Sequence, residues 1–189
     1  MIDPTKITNY NLTDEQLEEH ILFWISAAGK NGVTAAKCLD NLLATLRKMG
    51  GDYRPFILVD RMSQSDLAYW MGECGMGCYN VKSKYFKDIA SSGINLRTCT
   101  VDDLENIKGI GPKTARCFLI HSRPKQRLAG LDRHALHYLS DLGYKVPSHT
   151  PTRKQYKKIE QWFIQEADKQ KKDIAVLDLE VWNKYRSKK

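Results

Sequence analysis

Apolar residues recur along this chain at the spacing of α-helices, and no stretch alternates with the period of a strand. Leu17, Ile21, Trp24, Ile25 and Ala28 share one helical face, opened by a Thr13/Gln16 capping box and closed by Gly29. A second helix is predicted after Thr34, with Leu39, Leu42, Leu43 and Leu46 inward and Gly50-Gly51 at its end. Pro55 to Asp60 reads as a short helix, and Ser63 caps the next, which carries Leu67, Trp70 and Met71 and stops at Gly72. Gly72 to Gly77 reads as a flexible turn. Val81, Tyr85, Phe86 and Ile89 then form a helix closed by Ser91-Ser92-Gly93. Thr100 with Asp103 makes another capping box. Beyond a loop from Gly143 to Pro151, two last helices are expected over 152–169 and 173–185. The pattern predicts an all-α fold of antiparallel helices, and periodicity alone does not choose between a bundle and two lobes.

The segment from Leu104 to Leu139 adds chemistry to this pattern. Gly109-Ile110-Gly111 makes a tight turn between two short helices, and Pro112 suits the first turn of the second, where a missing N–H costs nothing. The N–H groups of that helix start form an anion site at which a phosphate can dock on Gly111 to Thr114 without any base being read. Lys113 stands at this turn, and Asp132 opens the following helix. An amine and a carboxylate so placed can converge on one sugar; the alternative role for Lys113 is a phosphate contact.

These residues resemble the helix-hairpin-helix, Gly/Pro-rich loop and aspartate signature of the DNA base-excision glycosylases. Gly109-Ile-Gly-Pro-Lys-Thr-Ala115 stands where that superfamily has its hairpin and catalytic lysine, and Leu131-Asp132-Arg-His134 where it has its aspartate. Upstream, Gly77-Cys-Tyr-Asn80-Val-Lys82-Ser-Lys84 is similar to a segment of the endonuclease III branch. Downstream, Leu177-Asp178-Leu-Glu-Val-Trp182, with the final Lys188-Lys189, is similar to the tail of the archaeal-type 8-oxoguanine glycosylase/lyases.

The resemblance implies a single glycosylase domain over 1–189, formed as two helical lobes around a DNA-binding cleft. Its hairpin would span 100–121, its aspartate helix 131–142 and its C-terminal helices 152–185. It implies Lys113 as Schiff-base nucleophile, activated by a lowered pKa, and Asp132 as electrostatic partner. Lys108, Gly109, Ile110, Gly111, Thr114, Asn80, Lys82 and His134 are the expected DNA contacts. Asp178, Trp182, Lys189 and Trp24 are the expected base pocket, although Ile174, Leu177, Val181 and Trp182 also share a core-like spacing. The backbone carbonyls of Glu105, Ile107 and Ile110 are expected to hold a monovalent cation, K+ or Na+. No other cofactor is expected.

The implied activity is excision of a modified base, with 8-oxoguanine foremost, followed by strand nicking. Two alternatives stay open. The Ala28-Gly29-Lys30-Asn31-Gly32 turn faintly resembles glycosylase-related phage proteins that modify a flipped hydroxymethyl-pyrimidine, and otherwise it is an exposed helix-end turn. The other alternative is a DNA-binding module without chemistry, which the presence of both Lys113 and Asp132 argues against.

Composition bears on partners. The net charge of +8 favours a polyanion such as double-stranded DNA. No apolar run is long enough for a membrane span and no leader pattern appears at Met1-Ile-Asp-Pro, so a cytoplasmic or nucleoid-associated monomer is expected. The five cysteines are odd in number, fit a reducing compartment, and none follows Cys117. The iron–sulfur loop that some relatives carry beyond the aspartate helix therefore has no ligands here, and no cluster is expected. Cys74-x-x-x-Cys78 and the His134/His137 pair each lack the further ligands a metal site needs. The lysine-rich stretch from Arg153 to Lys172 reads as a solvated face.

Overall fold

The structure is a computed structural model that describes residues 2–186. Among these residues there is no strand, and ten α-helices follow a 3-10 turn at Pro4–Lys6. They are α1 (Asp14–Ala27), α2 (Gly32–Gly50), α3 (Pro55–Arg61), α4 (Gln64–Glu73), α5 (Tyr79–Ala90), α6 (Val101–Glu105), α7 (Pro112–Ser122), α8 (Arg133–Asp141), α9 (Arg153–Lys169) and α10 (Ile174–Tyr185). The expected all-α class is what the chain adopts. No helix among the described residues is long and apolar enough to cross a membrane.

Helix starts follow the capping chemistry of the sequence. Thr13 and Thr100 each form complete capping boxes, with Gln16 and Asp103 as reciprocal partners. One start differs from the prediction. α2 begins before Thr34, because Asn31 Oδ1 accepts from the Val33 and Thr34 amides at 3.0 and 3.3 Å and caps it three residues earlier.

The chain forms two compact units. One comprises Asn11–Gly111 together with the chain start up to Pro4; the other comprises Thr5–Tyr10 and everything from Pro112 onward. In the first unit α1 packs on α2, α3 and α5, and α4 packs on α5 and α2. Its core includes Ile21, Leu22, Leu42, Leu46, Leu67, Met71 and Phe86. Glu18, buried in α1, is satisfied by the Arg54 guanidinium and by the Phe56 amide at 3.1 Å.

In the second unit α10 contacts α7, α8 and α9 around a core that includes Leu131, Leu136, Leu139, Tyr156, Phe163, Ile164 and Leu177. Two side chains one turn apart on α9 clamp the segment ahead of α8. Glu160 Oε1 accepts from Arg116 Nε at 2.7 Å and from the Ala129 amide at 3.0 Å. The Tyr156 hydroxyl accepts from the Leu131 amide at 2.8 Å and donates to the Ala129 carbonyl at 3.0 Å. The Arg116 guanidinium also lies over the Tyr156 ring, 4.6 Å from its centroid. Gly130 sits inside this clamp, where an added Cβ would fall 2.1 Å from Cys117 Sγ.

Two predictions concern stability. The Arg116–Glu160 pair is buried, so Glu160→Ala should cost about 3 kcal/mol or more in urea unfolding by removing the carboxylate that balances the buried guanidinium. Gly109 has φ +91° and its missing Cβ would fall 2.1 Å from Tyr85 Cγ, whereas a Cβ on Gly111 meets nothing within 4 Å. Gly109→Ala should therefore lower the melting temperature clearly, while Gly111→Ala should leave it within a degree or two.

Candidate active site

The turn Ile107–Gly111 links α6 to α7, and its tightness comes from the Ile110 amide donating to the Ile107 carbonyl at 3.1 Å. Gly109 is required by its left-handed backbone and by the Tyr85 ring beneath it, whereas Gly111 is not required by any internal contact. Lys108 is exposed, Ile110 and Thr114 are buried, and Gly109 and Gly111 are half-buried. Pro112 begins α7, the position its ring favours.

Lys113 stands in the first turn of α7, and α7, α8 and α10 bring three groups to bear on it. Burial of its ammonium is the largest influence and lowers the pKa. Cys117 one turn along, then Asp132, then Asp178 act in the opposite sense and outweigh it. The pKa lies above the ordinary lysine value, which corrects the expectation of a lowered one. The reason is the convergence of two carboxylates, Asp132 and Asp178, and the Cys117 sulfur on one amine. Cys117 is itself buried, which pushes its thiol up to about 12 despite the favourable Lys113 charge. At neutral pH it is a neutral thiol beside an ammonium.

Asp132 is the N-cap of α8. Its Oδ1 accepts from both the His134 amide at 2.8 Å and the Ala135 amide at 2.9 Å. Both capping bonds converge on one oxygen, so Oδ2 is left outside the cap. His134 is buried; burial lowers its pKa, Asp132 opposes this, and the charges of Arg133, His137 and Lys113 reinforce it, so the imidazole is neutral at neutral pH. Asp178, on α10, shares a 3.0 Å hydrogen bond through Oδ2 with Nε2 of the buried His121. The Nδ1 of His121 in turn meets Thr8 Oγ1 at 2.7 Å.

Lys113, Asp132, His134 and Asp178 thus come together in the second unit. Trp182, one turn beyond Asp178 on α10, is half-buried, unlike Leu177 and Val181 of the core, and the Arg186 guanidinium lies 4.9 Å from its ring centroid. Trp24 belongs to the first unit, where it is buried with its ring edge-on to Phe23 at 5.0 Å. Lys189 lies outside the described residues.

Asn80 is exposed near the start of α5. Lys82, expected to face DNA, instead points inward. Its ammonium is buried in the first unit and donates to the Ser26 carbonyl at 2.6 Å, and burial lowers its pKa. The reason is its place in the first turn of α5, which faces α1. The Lys30–Asn31 turn is accounted for locally, with Asn31 capping α2 and the Lys30 ammonium donating to the Gly75 carbonyl. Among the described residues no group of three or more His, Cys, Asp or Glu side chains is placed to hold a metal ion.

Cys117 and His121 escaped the sequence reading, although a signal existed. They follow Lys113 at i+4 and i+8 on one helix, and so share its stripe. Thr8, far away at the chain start, carried no such signal.

Residues 62–172 match the family model described as Ogg-HhH, 8-oxoguanine DNA glycosylase. The chain is similar in structure to the 8-oxoguanine glycosylase/lyase of Methanocaldococcus jannaschii, solved in complex with a 15mer DNA containing 8-oxoguanine. The TM-score there is 0.66 at 23% identity, with 94% of this chain and 83% of that one covered. It is similar also to the 8-oxoguanine DNA glycosylase of Thermotoga maritima, at TM-score 0.70 and 20% identity over 93% and 81% of the two chains. The 3-methyladenine DNA glycosylase of H. pylori, bound to 1,N6-ethenoadenine, shares the fold at TM-score 0.68 and 16% identity over 90% and 86%. The match to the family model spans more than half of the sequence and includes Lys113 and Asp132, and the chain belongs to the 8-oxoguanine DNA glycosylase family of helix-hairpin-helix proteins.

Proposed function

We propose that this DNA glycosylase excises 8-oxoguanine from double-stranded DNA and then nicks the abasic strand, with Lys113 as the covalent nucleophile. The observation that carries the reading is the gathering of Cys117, Asp132 and Asp178 around the Lys113 amine. The M. jannaschii neighbour, described as a glycosylase/lyase and bound to 8-oxoguanine DNA, supports the choice of base and the combined activity.

Base excision requires the nucleotide to leave the stack, because the glycosidic bond is unreachable within a duplex. Phosphate docking on the amides at the start of α7 holds the strand meanwhile, with Lys108 exposed on the approach to the turn. A monovalent cation on the carbonyls of Glu105, Ile107 and Ile110 would add positive charge there. The Ile107 carbonyl spends one lone pair on the Ile110 amide and keeps a second for such an ion. Asn80 and His134 complete the proposed contacts.

The raised pKa gives Lys113 two successive roles. As an ammonium it gives a proton to the departing purine while the C1′–N9 bond breaks and the electron pair leaves with the base. The resulting neutral amine forms a bond to C1′, whose positive charge the Asp132 carboxylate stabilises. The nitrogen passes a proton to the ring oxygen as the sugar opens, which leaves a Schiff base. Loss of a C2′ proton then expels the 3′ phosphate. Asp178 and Trp182 form the proposed base pocket, although Asp178 Oδ2 is already engaged by His121.

Borohydride should trap a covalent adduct with an abasic duplex, and Lys113→Gln should abolish the adduct while DNA affinity stays within a few-fold; a full-strength adduct would place the nucleophile elsewhere. The trapping rate should climb with pH through the neutral range without levelling below about pH 10, since the amine's pKa is raised and only its neutral form bonds to carbon. Asparagine keeps both capping bonds, so Asp132→Asn should change unfolding free energy by less than about 0.5 kcal/mol. Excision by that variant should fall by about two orders of magnitude. Near-normal turnover would remove Asp132 from the chemistry and leave it as a cap.

A further inference from the structure

Thr5–Tyr10, from the start of the chain, belongs to the unit that begins at Pro112. Three contacts seat it there. The Asn9 amide donates to the His121 carbonyl at 2.9 Å, the Tyr10 hydroxyl donates to Asp173 Oδ1 at 3.4 Å, and Ile7 is buried. Thr8 lies between these anchors, and its hydroxyl is 2.7 Å from Nδ1 of His121.

His121 is 1% exposed, so both ring nitrogens depend on protein partners. Thr8 meets Nδ1 and Asp178 meets Nε2. A carboxylate only accepts, so Nε2 carries the proton toward Asp178. In the neutral ring Nδ1 then accepts, and the Thr8 hydroxyl donates to it. The carboxylate sets the tautomer that points an N–H at Asp178, and the Thr8 hydroxyl completes it by donating to Nδ1 and holding the ring in place.

We infer that Thr8 and His121 are positioning residues, which hold the Asp178 carboxylate where it acts on the Lys113 amine. The inference rests on Lys113 being the nucleophile. Lys113 faces Cys117 on its own helix, Asp132 and His134 from α8, and Asp178 from α10. Of these, Asp132 is fixed by two amides of its own helix. Asp178, in the middle of α10, is fixed by an imidazole that the chain start orients. A loosened Asp178 stabilises the ammonium less, so a larger fraction of Lys113 is neutral at pH 7.

The consequence has an unusual sign. Thr8→Val keeps the shape of a half-buried side chain and deletes only the hydroxyl. The measurement is single-turnover borohydride trapping on an abasic duplex across pH, which needs no base to leave. Thr8→Val should trap faster than wild type at pH 7, by about threefold, with its profile moved roughly half a pH unit downward. Thr8→Ser should retain the wild-type profile, and Asp178→Asn should move it further in the same direction.

The double variant Thr8→Val/Asp178→Asn should match Asp178→Asn alone, because the hydroxyl acts only through that carboxylate. Slower trapping by Thr8→Val at every pH with an unmoved profile would reduce Thr8 to packing and overturn the inference. So would shifts that add in the double variant. Undiminished trapping by Lys113→Gln would instead overturn the nucleophile assignment and this inference with it, which separates the two failures.

Discussion

One buried carboxylate holds the second unit in register. Glu160 binds Arg116, three residues beyond Lys113, and at the same oxygen binds the amide of Ala129, three residues ahead of Asp132. The lysine and the aspartate sit on different elements, so a rigid tie is needed for their separation to be constant. Burial of the pair is costly in desolvation and is repaid only because several hydrogen bonds meet there. Tyr156, one turn away on α9, fixes the same segment on either side of Gly130, accepting from the Leu131 amide and donating to the Ala129 carbonyl. Cys117 fills the space over Gly130, so α7 and the segment ahead of α8 cannot slide past one another.

Rigidity of this kind permits an electrostatic arrangement that would otherwise relax. Two carboxylates and a thiol are held near one ammonium in a partly buried environment, where charges act more strongly than in water. The arrangement favours the ammonium in the resting protein. It thereby keeps the proton on Lys113 and, in the proposed reaction, delays the step in which the neutral amine bonds to carbon. Cys117 contributes as a neutral group, since its thiol is pushed up to about 12.

The helices, their capping boxes and the Lys113–Asp132 pair were legible because they are local: each is written within a few residues, or within one known signature. Lys82 was misread because its sign says nothing of the side it faces; α5 turns it toward Ser26 in α1. The pKa of Lys113 was misjudged for a related reason. Burial and the helix start were visible in the sequence, but the number of anions converging from α8 and α10 was not. Cys117 and His121 lay on the stripe of Lys113 and were within reach of a periodicity argument. Thr8 was beyond any such argument, because its partner is 113 positions away.

That distance has a consequence for how the chain acquires its fold. The first unit is almost entirely one continuous segment, Asn11–Gly111, whereas the second is assembled from two segments on either side of it. Contacts close in sequence form early, and a closure across more than a hundred residues bears the entropy of the whole intervening loop. Collapse of the first unit shortens that loop before the second has to close it. During synthesis Thr5–Tyr10 leaves the ribosome ahead of Asn11–Gly111 yet finds its place only after α7 and α10 have emerged. The segment Thr5–Tyr10 is thus made well before the helices that fix it.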